Sequence, residues 1–351
     1  MNSDPKNPTS LRLGIAGAGF GLRVLLPVFA GIEGVRVVAI SGRSVGAARL
    51  PPGCLAYPNW ETMLRTAELD AAAIALPPLE QERAAAVALA SGLHLFCEKP
   101  LALCPSVAEA LARDAQRGKR VGCVDFEIRK IPAFEMVRKH LSRIGRPLSL
   151  TISWKINARV APPPPGSWKY DAARGGGAMS SFGCHLVDLC TLLLGRLEAL
   201  SFEPRVRVPE RPSAAGVSWR ITAEDAFDLT LRSADGAEAR IEMDTVAERD
   251  EGLHLAFAGA EGRLLVVDRE PSNYFAGWDV LFERPNGHRA TLLDAASPSA
   301  LGDRMVAVRR VAVDFVRAVF YGGTPDSSLE AGVENVRVVA RARALAASIP
   351  R

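Results

Sequence analysis

Three groups of residues in this chain have the types and spacing that chemistry needs. They are a glycine turn at Gly17-Ala18-Gly19-Phe20-Gly21, a lysine between a glutamate and a proline at Glu98-Lys99-Pro100, and Ser181, His185 and Asp188. The glycines follow a short apolar segment, residues 11–16, and precede helix-like sequence at 22–32. Between a strand and a helix, the first glycine permits the tight turn. The second lets backbone N–H groups approach a pyrophosphate at the helix N-terminus. The third small position of the dinucleotide fingerprint falls at Leu22, with Gly21 one residue early, which predicts a helix set slightly further from its strand. Roughly 20 residues on, a NAD site places an acidic residue against the ribose 2′-hydroxyl. Here the second strand ends Ser41-Gly42-Arg43-Ser44. With no carboxylate to repel a 2′-phosphate, and with Arg43, Ser41 and Ser44 as donors, NADP is favoured over NAD.

The stretch 179–194 reads as a helix, on which Ser181, His185 and Asp188 occupy i, i+4 and i+7 and share one side. Leu186, Leu189 and Leu193 face elsewhere, so the polar side is expected to form a pocket wall. Gly183 inside that helix costs roughly 1 kcal/mol relative to alanine, which predicts a close approach by cofactor, substrate or neighbouring backbone. Lys99 stands at the carboxyl end of an expected parallel strand, where open α/β sheets bind ligands. Hydride transfer to a ketone builds negative charge on oxygen, so such a site needs a fixed donor and a proton source. An ammonium and an imidazole suit those two needs.

The elements that must position these groups alternate in the first half. Strand-like runs at 11–16, 35–40, 70–76, 94–97 and 120–124 are separated by helical stretches near 22–32, 60–66 and 80–91. A further helix is opened by the capping-box pair Ser106 and Glu109 and closed by Gly118. This rhythm predicts a parallel sheet with helices on both faces. Beyond about residue 128 the rhythm changes to successive strands at 148–156, 226–233, 239–247, 253–258 and 263–267. The expectation is a Rossmann domain over residues 1–127 and an α+β domain over 128–351 with a largely antiparallel open sheet. Two late amphipathic helices carry stripes at Val308, Val311, Ala312, Phe315 and Val319, and at Val333, Val336, Ala340 and Ala344. Pro162 to Pro165 cannot be helix or central strand and reads as an extended loop.

Composition narrows the function classes. The chain has 351 residues, 48% hydrophobic and 23% charged, which fits two globular domains and excludes disorder or a fibrous repeat. Its formal charge of +4 is interspersed along the chain, so nucleic acid is not the expected partner. No uninterrupted apolar run reaches the ~18 residues of a membrane span, and residues 1–10 are unlike a signal peptide, so a cytoplasmic protein is expected. The six cysteines form no Cys-x-x-Cys pair and read as reduced. None of the five histidines pair at i, i+4, so a protein-held metal is not expected.

Glu98-Lys99-Pro100 after a strand, together with the run from Gly175 to Asp188 containing Gly183-x-His185-x-x-Asp188, resembles the glucose-fructose oxidoreductase, inositol dehydrogenase and MocA family. The resemblance extends from the glycine turn through Leu76-Pro77-Pro78 to Glu330-Ala331-Gly332. It implies nicotinamide-dependent redox chemistry on sugars, polyols or related carbonyl compounds, and a C-terminal sheet that often mediates dimers or tetramers. It also implies that Lys99 and His185 lie beside the nicotinamide. The nucleotide is then expected to meet Gly17, Gly19, Phe20, Gly21, Ser41, Arg43, Ser44, Leu76, Pro77, Gln81, Glu98 and Lys99. Substrate contacts are expected from Glu127 and Arg129 after the last Rossmann strand, from Trp168, Lys169 and Tyr170 before the glycine triplet, and from Ser181.

Two positions depart from the family pattern. Ser181 stands where many members carry a carboxylate, and Gln81 where many carry a histidine. A serine can hydrogen-bond but cannot serve as base, so either Asp188 orients His185 and completes the catalytic group with it and Lys99, or proton transfer differs from that in the sugar dehydrogenases. The leading expectation is an NADP-dependent oxidoreductase, NAD remaining possible, that moves a hydride between nicotinamide and a carbonyl or alcohol carbon of a sugar or related cyclic compound. Reduction of a C=N or conjugated double bond is the second reading, and a non-catalytic dinucleotide-sensing regulator the third.

Overall fold

Strand β1 (Leu11–Ala16) buries every residue but Arg12, whose guanidinium is held by Asp70 and Glu68. It opens the first of two units in a computed structural model that describes residues 10–159, 166–212, 218–296 and 303–347. The proline run at 162–165 lies outside the described residues. The first unit comprises Met1–Glu127 and Val308–Val333, the second Ile128–Ala307 and Glu334–Arg351. The chain therefore returns to the first unit near its end, a feature that a linear division at 127/128 lacks.

After β1 the chain makes a single π-type turn (Gly21–Leu25), in which the Leu26 N–H donates to the Gly21 carbonyl, and continues as α1 (Leu26–Ala30). The early glycine is thereby explained. A Cβ at Gly21 would stand 2.9 Å from Ile15 Cγ2, so Gly21, and not Leu22, provides the close packing of helix on strand, and the wide turn absorbs the offset.

There follow β2 (Val35–Ser41), β3 (Leu55–Tyr57), α2 (Trp60–Thr66), β4 (Ala71–Ile74), α3 (Pro78–Ala90), β5 (His94–Cys97), α4 (Pro105–Gly118) and β6 (Gly122–Val124). All pairings are parallel, in the order β3-β2-β1-β4-β5-β6, so strand order reverses between β1 and β4. The capping box expected at Ser106 does not form. Pro105 occupies the first helical position, and Leu103 N–H donates to Glu82 instead. At the other end the left-handed residue is Lys119, with φ 52°, and not Gly118. Phe29, Phe96 and Phe315 close the core, with ring centroids 5.1, 6.5 and 5.8 Å apart.

The second unit contains α5 (Pro132–Lys139), β7 (Pro147–Lys155), another π-type turn (Met179–Gly183) leading into α6 (Cys184–Leu194), then β8 (Leu197–Arg205), β9 (Glu210–Pro212) and β10 (Ser218–Arg220). Strands β11 (Ala226–Ser233), β12 (Glu238–Asp244), β13 (Gly252–Gly259), β14 (Gly262–Asp268), β15 (Trp278–Glu283) and β16 (Arg289–Leu293) complete it. The large sheet has the order β16-β15-β14-β13-β7-β12-β11-β8, and only β7 with β12 is parallel. Period-two burial of Leu150, Ile152 and Trp154, continued by Ile241 and Met243, by Leu255 and Phe257, and by Leu264 and Val266, gives the sheet one apolar face, and α5 and α6 share its core. Helices α7 (Arg304–Tyr321) and α8 (Leu329–Ala347) end the described chain.

Candidate active site

At the carboxyl end of the parallel sheet, main-chain bonds align the loops that leave the strands. Gly17 N–H donates to Ser41 O, Ala75 N–H to Ala16 O, Glu98 N–H to Ile74 O and Asp125 N–H to Cys97 O, at 2.8–2.9 Å. Gly17 has φ 123°, and a Cβ there would lie 2.2 Å from Ala75 O, so only glycine fits. Around Gly19 nothing lies within 4 Å of where a Cβ would stand, which leaves a ligand room to approach the backbone. Beside them Ser41 is 1% exposed, and its hydroxyl has no hydrogen-bond partner among the described residues. An orphaned buried hydroxyl next to an open glycine turn fits a bound dinucleotide, whose ribose or phosphate oxygens would satisfy it. Arg43 and Ser44 are exposed on the loop after β2.

Gln81 is buried in α3. Its Nε2 donates to Glu98 O at 2.5 Å and to Pro100 O at 2.8 Å, the carbonyls on either side of Lys99. A single amide thus clamps the turn that presents the lysine, whose peptide bond to Pro100 is cis. Under this turn lie Asp125 and Glu127, both buried. Burial, compounded by Glu127 and Glu98, pushes the Asp125 carboxyl well above its ordinary range, while Lys99 opposes the shift. Glu127, expected at a substrate, belongs to this carboxyl cluster.

In the second unit α6 is buried on all sides from Cys184 to Cys190, so it carries no exposed polar stripe. The segment Ala172–Leu194 is long and apolar enough to cross a membrane by composition, with mean hydropathy 1.4, yet 72% of that window is buried inside the protein, as in a core helix. Asp188 on this helix, and Ser180 and Ser181 in the turn before it, each meet an arginine. Asp188 receives Arg129 Nε at 2.9 Å and Arg129 Nη2 on its other oxygen. Arg129, expected to hold a substrate anion, and Asp188, expected to orient His185, are thus joined to each other, both nearly inaccessible. Ser181 accepts from Arg159 at 2.5 Å and Ser180 from Arg343 at 2.8 Å, while Asn335 donates to Cys184 O. His185 is 3% exposed, between these bonded neighbours.

Within the protein, the close approach at Gly183 is made by side chains. A Cβ there would stand 2.7 Å from the Phe227 ring and 2.8 Å from Met179 Sδ. Before the glycine triplet, Trp168 is half-buried, Lys169 is exposed and Tyr170 is buried, its ring flanked by Arg159 and Arg211. Sequence reasoning missed Asp125, Arg159 and Arg211. A carboxylate one residue past β6 is a readable signal, but nothing local marks an arginine whose acceptor lies 22 positions on. Among the described residues no group of histidine, cysteine and carboxylate side chains could hold a metal ion, and all six cysteines are free thiols.

Comparison with known proteins bears on both units. Residues 11–126 match the family described as oxidoreductase, NAD-binding Rossmann fold, and residues 135–265 match the GFO/IDH/MocA C-terminal domain. An uncharacterized oxidoreductase of Synechocystis is 27% identical over 93% of this chain and 91% of its own. A dTDP-3,4-didehydro-2,6-dideoxy-alpha-D-glucose 3-reductase of Streptomyces violaceoruber is 30% identical over 86% of each chain. Levoglucosan dehydrogenase of Pseudarthrobacter phenanthrenivorans is 28% identical over 53% of this chain and 47% of its own. Among solved structures, an oxidoreductase domain protein from Kribbella flavida superposes with TM-score 0.84 at 22% identity, covering 98% of this chain and 100% of that one. A levoglucosan dehydrogenase complexed with NADH and L-sorbose gives TM-score 0.84 at 21% identity, covering 97% of each. These last two show a common fold.

Proposed function

Because this chain belongs to the Gfo/Idh/MocA family of NAD-binding oxidoreductases, we propose that it moves a hydride between a nicotinamide and a carbonyl or alcohol carbon of a sugar or related cyclic compound. One observation carries the cofactor half: the orphaned Ser41 hydroxyl beside the open Gly17-Ala18-Gly19 turn. Absence of a carboxylate from Ser41 to Ser44, with Arg43 exposed there, supports NADP over NAD.

When bound, the nicotinamide supplies or accepts the hydride. The protein's part is to fix charge and protons at the reacting oxygen. Lys99, on a turn held from both sides by Gln81, is assigned as the donor that stabilises negative charge there. His185 is assigned as general acid in reduction and general base in oxidation. Ser181, bonded to Arg159, contributes a hydrogen-bonding hydroxyl and no base. The relatives named for levoglucosan and for a dideoxyglucose nucleotide support a carbohydrate-like substrate class. The same reading assigns the polar face of the large sheet, with Thr151 and Ser153, to self-association as dimer or tetramer.

Titration of the purified protein with NADPH and NADH, followed by cofactor emission, tests the first half. NADPH is expected to bind more tightly, and no response to either refutes it. A panel of sugars, polyols and cyclic imines then separates carbonyl from C=N reduction. Lys99→Ala and His185→Ala are each expected to lower turnover by at least 100-fold, and full turnover in both refutes the assignment.

A further inference from the structure

The second unit buries two guanidinium groups close to one another, neither of which has a carboxylate within hydrogen-bond distance among the described residues. Arg159 is 4% exposed, and its acceptors among the described residues are neutral: Lys169 O at 3.2 Å, Gly177 O at 2.9 Å and Ser181 Oγ at 2.5 Å. Arg211, on β9, is 3% exposed, and among the described residues its Nε and Nη2 have no hydrogen-bond acceptor. The two flank Tyr170, at 5.3 and 5.5 Å from the ring centroid. A ring face answers part of a cation's charge but accepts none of these N–H groups in the plane of the guanidinium.

The neighbouring carboxylates are already engaged. Asp225 lies 3.7 Å from Arg211 Nη2, but its oxygens accept from Arg207 N–H at 2.7 Å and Val208 N–H at 3.0 Å. Glu224 accepts from Met179 N–H. Burial holds the Arg159 pKa below its ordinary value, and Arg211 adds like-charge repulsion. A buried charged donor left without an acceptor costs more than an ordinary unmade hydrogen bond, so an unsatisfied pair on one edge calls for a partner. Arg129 in the same unit shows what that partner is. It uses its Nε and Nη2 edge to hold both oxygens of Asp188, whereas the same edge of Arg211 has no acceptor within hydrogen-bond distance among the described residues, Asp225 standing 3.7 Å from Nη2.

We propose that the Nε and Nη2 edge of Arg211 is a subsite for the carboxylate of a sugar acid or hydroxy acid, with Arg159 adding positive potential and anchoring Ser181 on the same wall. The carbohydrate part of this statement rests on the oxidoreductase reading above; the carboxylate part rests on Arg211 alone. A carboxylate there receives two parallel N–H donors, as Asp188 does from Arg129. A neutral sugar at the same place leaves both unsatisfied.

The test is calorimetric titration of the full-length protein with D-glucuronate, D-gluconate and the methyl ester of glucuronate, with sulfate as the inorganic arm. At least one acid is expected to bind at least tenfold more tightly than the neutral ester. Arg211→Gln is expected to remove that difference and Arg211→Lys to keep part of it. Acids and ester binding alike, or Arg211→Gln retaining the preference, overturns the subsite. Sulfate displacing the acids at equal or lower concentration overturns the sugar-acid assignment in favour of a free inorganic anion. If Arg211→Gln does not fold, the comparison of acid with ester in the unsubstituted protein decides alone. A protein that binds NADPH yet no acid loses the subsite and keeps the oxidoreductase reading; one that binds neither loses both.

Discussion

Replacing Asp188 by alanine is expected to destabilise the second unit by about 3–5 kcal/mol, the cost of stranding a buried guanidinium. The geometry sets that magnitude. The Arg129 and Asp188 side chains are only 4% and 3% exposed, and two charge-assisted bonds join them. Water cannot replace the lost carboxylate, so Arg129 must stay desolvated or the surrounding core must open. Trp154 and Trp278 are fully buried in the same unit, and their emission reports its unfolding in urea. The double substitution Arg129→Met with Asp188→Leu removes both charges and is expected to recover most of the loss, to within about 1–2 kcal/mol of the parent. A loss under about 1 kcal/mol for Asp188→Ala, or a double variant no better than the single one, refutes the pairing as the reason for Asp188. The competing expectation, that Asp188 exists to orient His185, predicts the opposite pattern: activity lost while the urea midpoint holds.

Three other perturbations follow from the same geometry. Gly183→Ala gains about 1 kcal/mol of helix propensity but forces a methyl into the Phe227 ring, a net loss of about 1–2 kcal/mol that Phe227→Leu should relieve; an unchanged urea midpoint counts against it. Gln81→Leu removes both bonds holding the Lys99 turn and should lower turnover by about 10- to 100-fold with little change in folding stability; unaltered turnover would dissociate the clamp from catalysis. His94 accepts Val121 N–H on Nδ1, and burial followed by Arg120 lowers its pKa to about 4. A depressed folded pKa means the unfolded chain binds the proton first. Stability should therefore fall between about pH 6.5 and 4, by about 2 kcal/mol once solvent screening of a partly exposed ring is allowed for. A melting temperature no more acid-sensitive than that of His94→Gln would contradict this.

The parallel half was legible because each strand is a contiguous apolar run and each crossover helix has its own period, both local signals. The glycine turn and the Glu98-Lys99-Pro100 segment were legible for the same reason: adjacent residues act together. What escaped was set by partners distant in sequence. Arg129 meets Asp188 across 59 positions, and Gln81 reaches the Lys99 turn across 17 and 19. Helical spacing put Ser181, His185 and Asp188 on one side, but only the fold shows that Arg159 bonds Ser181 and Arg129 bonds Asp188. At Gly183 the missing side chain was correctly sensed, yet only the fold identifies Phe227 as its neighbour.

The return of Val308–Val333 to the first unit has a consequence for how the protein is made. Phe315 completes an aromatic cluster whose other members, Phe29 and Phe96, are translated more than two hundred positions earlier. The nascent amino-terminal sheet must leave the ribosome with that cluster unfinished and wait through synthesis of the whole second sheet before its last ring arrives. Chain termination anywhere before α7 would strand a nucleotide fold without its keystone, whatever the quality of its glycine turn.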